Sequence, residues 1–241
     1  MSAADVKNDP VLQALVGGVK EALGTRLRSV VLYGSGARGD YHRGTSDLNL
    51  IVVLEMLDPR TLEALGRPVR RFVRKGHPVP RLFSPSLIAE SADTFPIEFL
   101  EIQASRLVVH GEDSFAGIVI DRGCLRLQCE REMDEKLMRL REGYVLGHDR
   151  ERTLGRLLSG SYPAFAALFR GGLHLMGRQV PPGNRDVVAA FCDAAGLERA
   201  PFEEVARLRS GEKTAQDLRT IYARYYEQLT RAAHMVDRLK A

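Results

Sequence analysis

The sequence predicts an α/β (α+β) domain on a small mixed sheet over residues 1–115, followed by an all-α helical bundle over 116–241. Three observations predict it. Short β-branched runs alternate with amphipathic stretches through the first half. The strand signals stop after about residue 121. Long helical patterns then follow, broken at Gly147, Pro181-Pro182-Gly183, Gly196 and Gly211. Four or five amphipathic helices of such length make an antiparallel bundle the economical arrangement.

Asp9-Pro10 reads as a helix cap followed by proline at the first helical position, with Val11, Leu12, Leu15, Val16 and Val19 on the apolar stripe. That helix ends near Gly24. Arg28–Tyr33 is a β-branched run ending in glycine and reads as a buried strand. Asp47–Leu54 (DLNLIVVL) is a second strand. Asp58-Pro59 opens a helix to about Lys75, Val79–Phe83 is a candidate third strand, and Ser84-Pro85 opens another helix. Phe95–Ile102 (FPIEFLEI) satisfies strand and helix periodicity alike. Arg106–His110 is a short strand ended by Gly111. The bundle helices fall at roughly 122–147, 150–177, 184–195, 201–210 and 214–239.

The chain has 241 residues, of which 44% are hydrophobic and 27% charged, ordinary values for a soluble globular protein. No apolar run approaches the ~18 residues of a membrane-spanning helix, and the N-terminus lacks a charged-then-apolar leader. Cys124, Cys129 and Cys192 match no zinc or redox spacing and read as small thiols in a reducing compartment. The expectation is a cytoplasmic protein. The formal charge of +4 is uneven: residues 1–121 carry 14 Lys/Arg against 15 Asp/Glu, and residues 122–241 carry 21 against 16. Such mild basicity suits an anionic small ligand. Nucleic acid is not indicated, because no basic block interleaved with aromatics accompanies the charge.

The chemistry concentrates in Val30–Leu54, VVLYGSGARGDYHRGTSDLNLIVVL. A buried strand delivers Gly34-Ser35 into a tight turn, followed by Gly36, Ala37, Arg38 and Gly39. Glycine lets backbone approach a ligand, and a helix starting just after the turn points its positive end the same way. Ser46-Asp47 opens the next strand. Side chains alternate along a strand, so Asp47 and Asn49 share one side while Leu48 and Leu50 face the core. A polar pair beside a glycine turn suits a site for phosphate and metal.

Gly-Ser-x-Ala-Arg-Gly followed by Ser-Asp at a strand start resembles the signature of the DNA polymerase β-type nucleotidyltransferases, which include the aminoglycoside nucleotidyltransferases and small stand-alone transferases. The motif covers about 25 residues directly, and the strand–helix order extends the agreement to about residue 110. The resemblance implies a glycine–serine turn, here Gly34 and Ser35 with Arg38 and Ser46 beside them, gripping the triphosphate of a nucleoside triphosphate. It implies strand acids at positions 47 and 49 holding Mg²⁺, a third acid on a neighbouring strand, and a helical C-terminal half shaping the acceptor pocket. The implied reaction is Mg²⁺-dependent transfer of a nucleoside monophosphate to a hydroxyl on a small molecule or protein. The acceptor and the oligomeric state stay open.

The sequence departs from that pattern at two of three acids. Asp-x-Asp is replaced by Asp47-Leu48-Asn49, and an amide offers Mg²⁺ one neutral oxygen without a carboxylate's charge. The expected third strand carries Arg81 and no carboxylate. Glu98 and Glu101 are the nearest substitutes: on a strand they face opposite sides, on a helix they lie one turn apart. The candidate metal ligands are therefore Asp47, Asn49 and Glu101. The alternative is a nucleotide-binding or regulatory protein that has kept the fold and lost transfer. His42 and Arg43 lie in the loop above the site. Arg141 and His148 match the Arg-x4–6-His spacing of HEPN ribonucleases, and Tyr222, Tyr225 and Tyr226 sit at helical spacing suited to a bundle core.

Overall fold

The computed structural model describes residues 3–38, 47–214 and 216–239. The elements in order are α1 (Ala3–Lys7), α2 (Pro10–Leu23), β1 (Leu27–Tyr33), α3 (Ser35–Arg38), β2 (Asn49–Leu54), α4 (Pro59–Val73), β3 (Arg81–Phe83), α5 (Pro85–Ser91), α6 (Pro96–Ala104) and β4 (Arg106–Gly111). They continue with α7 (Arg122–Gly147), α8 (Glu151–Leu175), α9 (Asn184–Ala195), α10 (Ala200–Arg209) and α11 (Leu218–Asp237). The chain divides into two compact units, one of residues 1–94 and 98–120, the other of residues 95–97 and 121–241.

Helix starts follow from capping chemistry. Asp9 accepts from the Val11 and Leu12 amides at 2.8 and 3.4 Å, Asp58 from Thr61 at 2.9 Å, and Ser84 from Leu87 at 3.1 Å. A proline occupies the first turn after each of these caps, where its missing N–H costs nothing. Asp121 and Asp217 cap α7 and α11 in the same way.

In the first unit the strands lie in the order β3-β2-β1-β4. β1 runs antiparallel to β2 and β4, and β3 is parallel to β2, so the sheet is mixed, as the sequence predicts. One face of this sheet, carrying Val30, Leu32, Leu50, Val52 and Leu54, packs in a buried cluster with Leu12, Leu15, Val16 and Val19 of α2 and Leu65 and Phe72 of α4. Leu48 and Leu50, expected in the core, are 0% and 2% exposed. The opposite face carries Val31, Ile51 and Val53, all buried. Beside Val53 lies Phe83, whose ring meets Phe99 and Phe115 edge-on at 6.0 and 6.2 Å. Three aromatic rings thus pack together beside that second face.

Three boundaries differ from expectation. β2 begins at Asn49, which leaves Asp47 and Leu48 just ahead of the ladder. β3 shrinks to three residues because Pro80 has no amide to donate. The last helix starts at Leu218, where Asp217 accepts from the Arg219 and Thr220 amides. The ambiguous segment after Phe95 is a helix, with Pro96 as its first residue.

Beyond Asp121 the described residues of the second unit form helices α7 to α11 joined by turns and loops, with no strand among them. Phe169 stacks on Phe191 at 4.0 Å, and Tyr225, fully buried, meets Phe165 and Phe202 edge-on. Tyr222 stacks between Tyr144 and Tyr226. The tyrosines at helical spacing therefore belong to the packing of this unit. Burial pushes the Cys129 and Cys192 thiols up to about 12, and no disulfide involves any of the three cysteines. Among the described residues no helix is long and apolar enough to cross a membrane.

Candidate functional site

The candidate site is one end of the second sheet face, next to the Phe83–Phe99–Phe115 cluster. Paired residues in a ladder point to the same side. Tyr33 pairs with Asn49, and Ile51 pairs with Arg81, two residues along β2 from Asn49. Tyr33, Asn49 and Arg81 thus share one face, which also carries Phe83 farther along. Asp47, two residues before Asn49, is exposed at the entrance to β2.

Gly34 makes the turn that ends β1. Its φ of +74° is a left-handed value that side-chain-bearing residues rarely adopt, and a Cβ built there would lie 3.5 Å from Asn49 Nδ2. The turn is held internally. Gly34 N–H donates to the Ser105 carbonyl at 3.1 Å, the Gly34 carbonyl accepts from Ala37 at 3.1 Å, and Ser105 Oγ donates to the Glu101 carbonyl at 2.9 Å. The Gly34 amide is consequently engaged within the protein, and what the glycine contributes is space beside Asn49. α3 is a single four-residue turn, too short for a helix dipole to develop.

The electrostatics centre on Tyr33. Arg81 places its guanidinium 5.9 Å from the Tyr33 ring centroid. Burial raises the Tyr33 phenol above its ordinary value; Arg81 draws it back down, and the negative charges of Glu101 and Glu98 push it further up. Both glutamates lie on α6, one turn apart and half-buried, the helical alternative foreseen for them. Arg106, paired with Tyr33 across the β1–β4 ladder, is tied to Asp113, with Nε 2.9 Å from both carboxylate oxygens. Its charge is thereby neutralised within the protein, whereas Arg81 is exposed and has no ion pair among the described residues.

The sequence-predicted residues divide as follows. Gly34, Asp47 and Asn49 meet at the end of β1 and the start of β2. Glu101 approaches the same end through Ser105 and its effect on Tyr33. Ser35 and Arg38 lie in α3, but their side chains are outside the described residues, as is Ser46, together with His42 and Arg43. The sequence alone does not single out Tyr33 or Arg81 as site residues. Tyr33 had a signal, being a hydroxyl-bearing residue closing an apolar strand; Arg81 showed only as a missing acid.

An Mg²⁺ pair fits this donor set poorly. Position 49 offers an amide, the neighbouring strand offers a guanidinium, and no three His, Cys, Asp or Glu side chains cluster among the described residues. A guanidinium on the same face opposes a divalent cation.

Open hollows lie elsewhere. One of about 860 Å³ in the second unit is rimmed by Asp149, Glu151, Glu212 and Asp217 interspersed with Arg152, Lys213 and Arg219. Mixed charges of that kind are typical of a solvated cleft and present no uniform surface to an anion. Arg141 and His148, at ribonuclease-like spacing, are each engaged by an aromatic neighbour: Arg141 lies over Tyr226, and His148 packs against Tyr144.

No family model and no curated protein matches this chain. Among solved structures it is similar to the spectinomycin adenyltransferase AAD(9) from Enterococcus faecialis, crystallised with ATP and spectinomycin. The likeness has a TM-score of 0.58 at 12% identity and covers 91% of this chain and 98% of that one. The chain has a nucleotidyltransferase-like fold. The fold class expected from the Gly34-to-Asn49 motif is thereby borne out, while an identity of 12% carries nothing about activity.

Proposed function

We propose that this protein binds a nucleoside triphosphate at the Gly34 turn and the adjoining face of β2 and β3, and that it has kept the nucleotidyltransferase fold without two-metal transfer chemistry. The observation that carries this reading is the face shared by Tyr33, Asn49 and Arg81, where a guanidinium and an amide stand in place of two carboxylates. The nucleotide is suggested by the likeness to an adenyltransferase solved with ATP. Asp47 and Asn49 lie beside the Gly34 turn, and the reading keeps Ser35, Arg38 and Ser46 as further nucleotide contacts. Two-metal transfer relies on carboxylates that offset cation charge and bridge the ions, and losing one costs on the order of a few kcal/mol, or roughly 10²- to 10⁴-fold in rate.

A second reading keeps transfer of a nucleoside monophosphate to a small-molecule or protein hydroxyl. It is favoured by Glu98 and Glu101, which bring negative charge to Tyr33 from one face of α6. Calorimetry with a panel of nucleoside triphosphates tests both readings, and an α-phosphate-labelled nucleotide incubated with hydroxyl-bearing acceptors separates them. The proposed function predicts binding without label transfer. No binding of any nucleotide at millimolar concentration would remove both readings.

A further inference from the structure

We propose that Arg81 takes the place of a divalent cation at this site, so that the triphosphate is held by the guanidinium and binds independently of metal. This deepens the nucleotide-binding reading of the same face and rests on it.

The placement of Arg81 is set by the backbone. β3 is only three residues long, but its register against β2 is fixed at Ile51↔Arg81, Val52↔Leu82 and Val53↔Phe83. Phe83 anchors the strand in the aromatic cluster with Phe99 and Phe115, and alternation then sends Arg81 to the same side. Pro80, itself buried, leads into the strand and fixes the backbone immediately before the arginine. The guanidinium is held beside the Tyr33 ring at 5.9 Å. An arginine set against an aromatic ring has lost part of its rotamer freedom before a ligand arrives.

The surrounding charges match what a cation needs there. Glu101 and Glu98 approach from α6, and Asp47 lies at the entrance to β2. In a metal site, carboxylates and phosphate oxygens share one divalent ion. Here the exposed Arg81 guanidinium, which has no ion pair among the described residues, keeps its donors for the phosphate within the negative field of those carboxylates. The other arginine on this face, Arg106, is committed to Asp113. That leaves Arg81 as the cation available to a ligand among the described residues of the face. A divalent ion entering the same space would face direct repulsion from it.

The experiment measures ATP affinity by calorimetry on the full chain, once in EDTA and once in millimolar Mg²⁺. Wild type, Arg81→Ala and Arg81→Lys are compared, with thermal unfolding to check each fold; Arg81 is exposed, so both variants should remain folded. The expected result is a wild-type affinity that changes less than about threefold between the two conditions. Arg81→Ala should weaken binding in EDTA by roughly tenfold or more, the loss typical of a charge-assisted pair. Arg81→Lys should recover part of it, since the charge returns without the fork. Wild-type binding that requires Mg²⁺, or an Arg81→Ala affinity equal to wild type, would overturn the inference and leave the nucleotide-binding reading standing. Absence of binding in both conditions would overturn that reading and the inference with it.

Discussion

Asn49→Asp combined with Arg81→Ala is expected to make ATP binding Mg²⁺-dependent, against the metal-indifferent binding proposed for the wild type. Asp47 lies two residues before position 49, at the entrance to β2, so the first change places a second carboxylate near it where the chain has one acid and one amide. The second change removes the cation paired with Ile51 on the neighbouring strand. The two changes do not add. In Asn49→Asp alone the new carboxylate shares a sheet face with the Arg81 guanidinium, and the pair they form offsets much of the charge meant for a metal. The single variant should therefore gain little Mg²⁺ dependence, and the double variant should bind ATP roughly tenfold or more tighter in Mg²⁺ than in EDTA. Adding Asp47→Asn to the double variant should abolish that difference. A metal titration read as nucleotide affinity checks all three. Equal Mg²⁺ dependence in the single and double variants would show that Arg81 does not govern the metal preference.

Gly111→Ala is expected to destabilise the protein by on the order of 3 kcal/mol or more, among the larger effects of any single methyl group. Gly111 has φ +77°, and a Cβ there would sit 1.9 Å from the Arg28 carbonyl oxygen and 2.9 Å from Ser29 Cα. Those atoms belong to the backbone at the start of β1, an inner strand, so no side-chain rotation relieves the overlap. The Ser29↔Gly111 pair that closes the β1–β4 ladder would have to open. Gly17→Ala is the matched control: it lies in α2 with nothing within 4 Å of the added Cβ, and it should be neutral or stabilising by about 0.5–1 kcal/mol. Urea denaturation compares the two. A Gly111→Ala chain as stable as wild type would mean that the β4 register is wrong.

Much of the fold was legible because its determinants are local. Asp9-Pro10, Asp58-Pro59 and Ser84-Pro85 each write a helix start in two residues, and the alternation of Leu48 and Leu50 with Asp47 and Asn49 states which side of β2 faces the core. The segment FPIEFLEI was not legible, because its apolar spacing satisfies both periods and the choice is made by tertiary packing, where Phe99 joins Phe83 and Phe115. The site was half legible. Gly34, Asp47 and Asn49 sit within one short stretch of chain. Arg81 reaches them only through the parallel pairing of β3 with β2, some thirty residues away in sequence, and single-chain periodicity does not encode that register. A missing acid was visible at position 81; the cation facing Tyr33 was not.

A crystal structure of the ATP complex tests the central claim most directly, since the molecule offers a second anion-attracting surface to compete with the first. α4 and the residue pair after it present Arg67, Arg70, Arg71, Arg74 and Lys75, all exposed, beside a groove of about 670 Å³ against α2. The account predicts phosphate density on the β2–β3 face, within hydrogen-bonding distance of the Arg81 guanidinium and against the Gly34 turn, from crystals grown in EDTA. Phosphates seated on the α4 row, with the Tyr33–Asn49–Arg81 face bare, would contradict it.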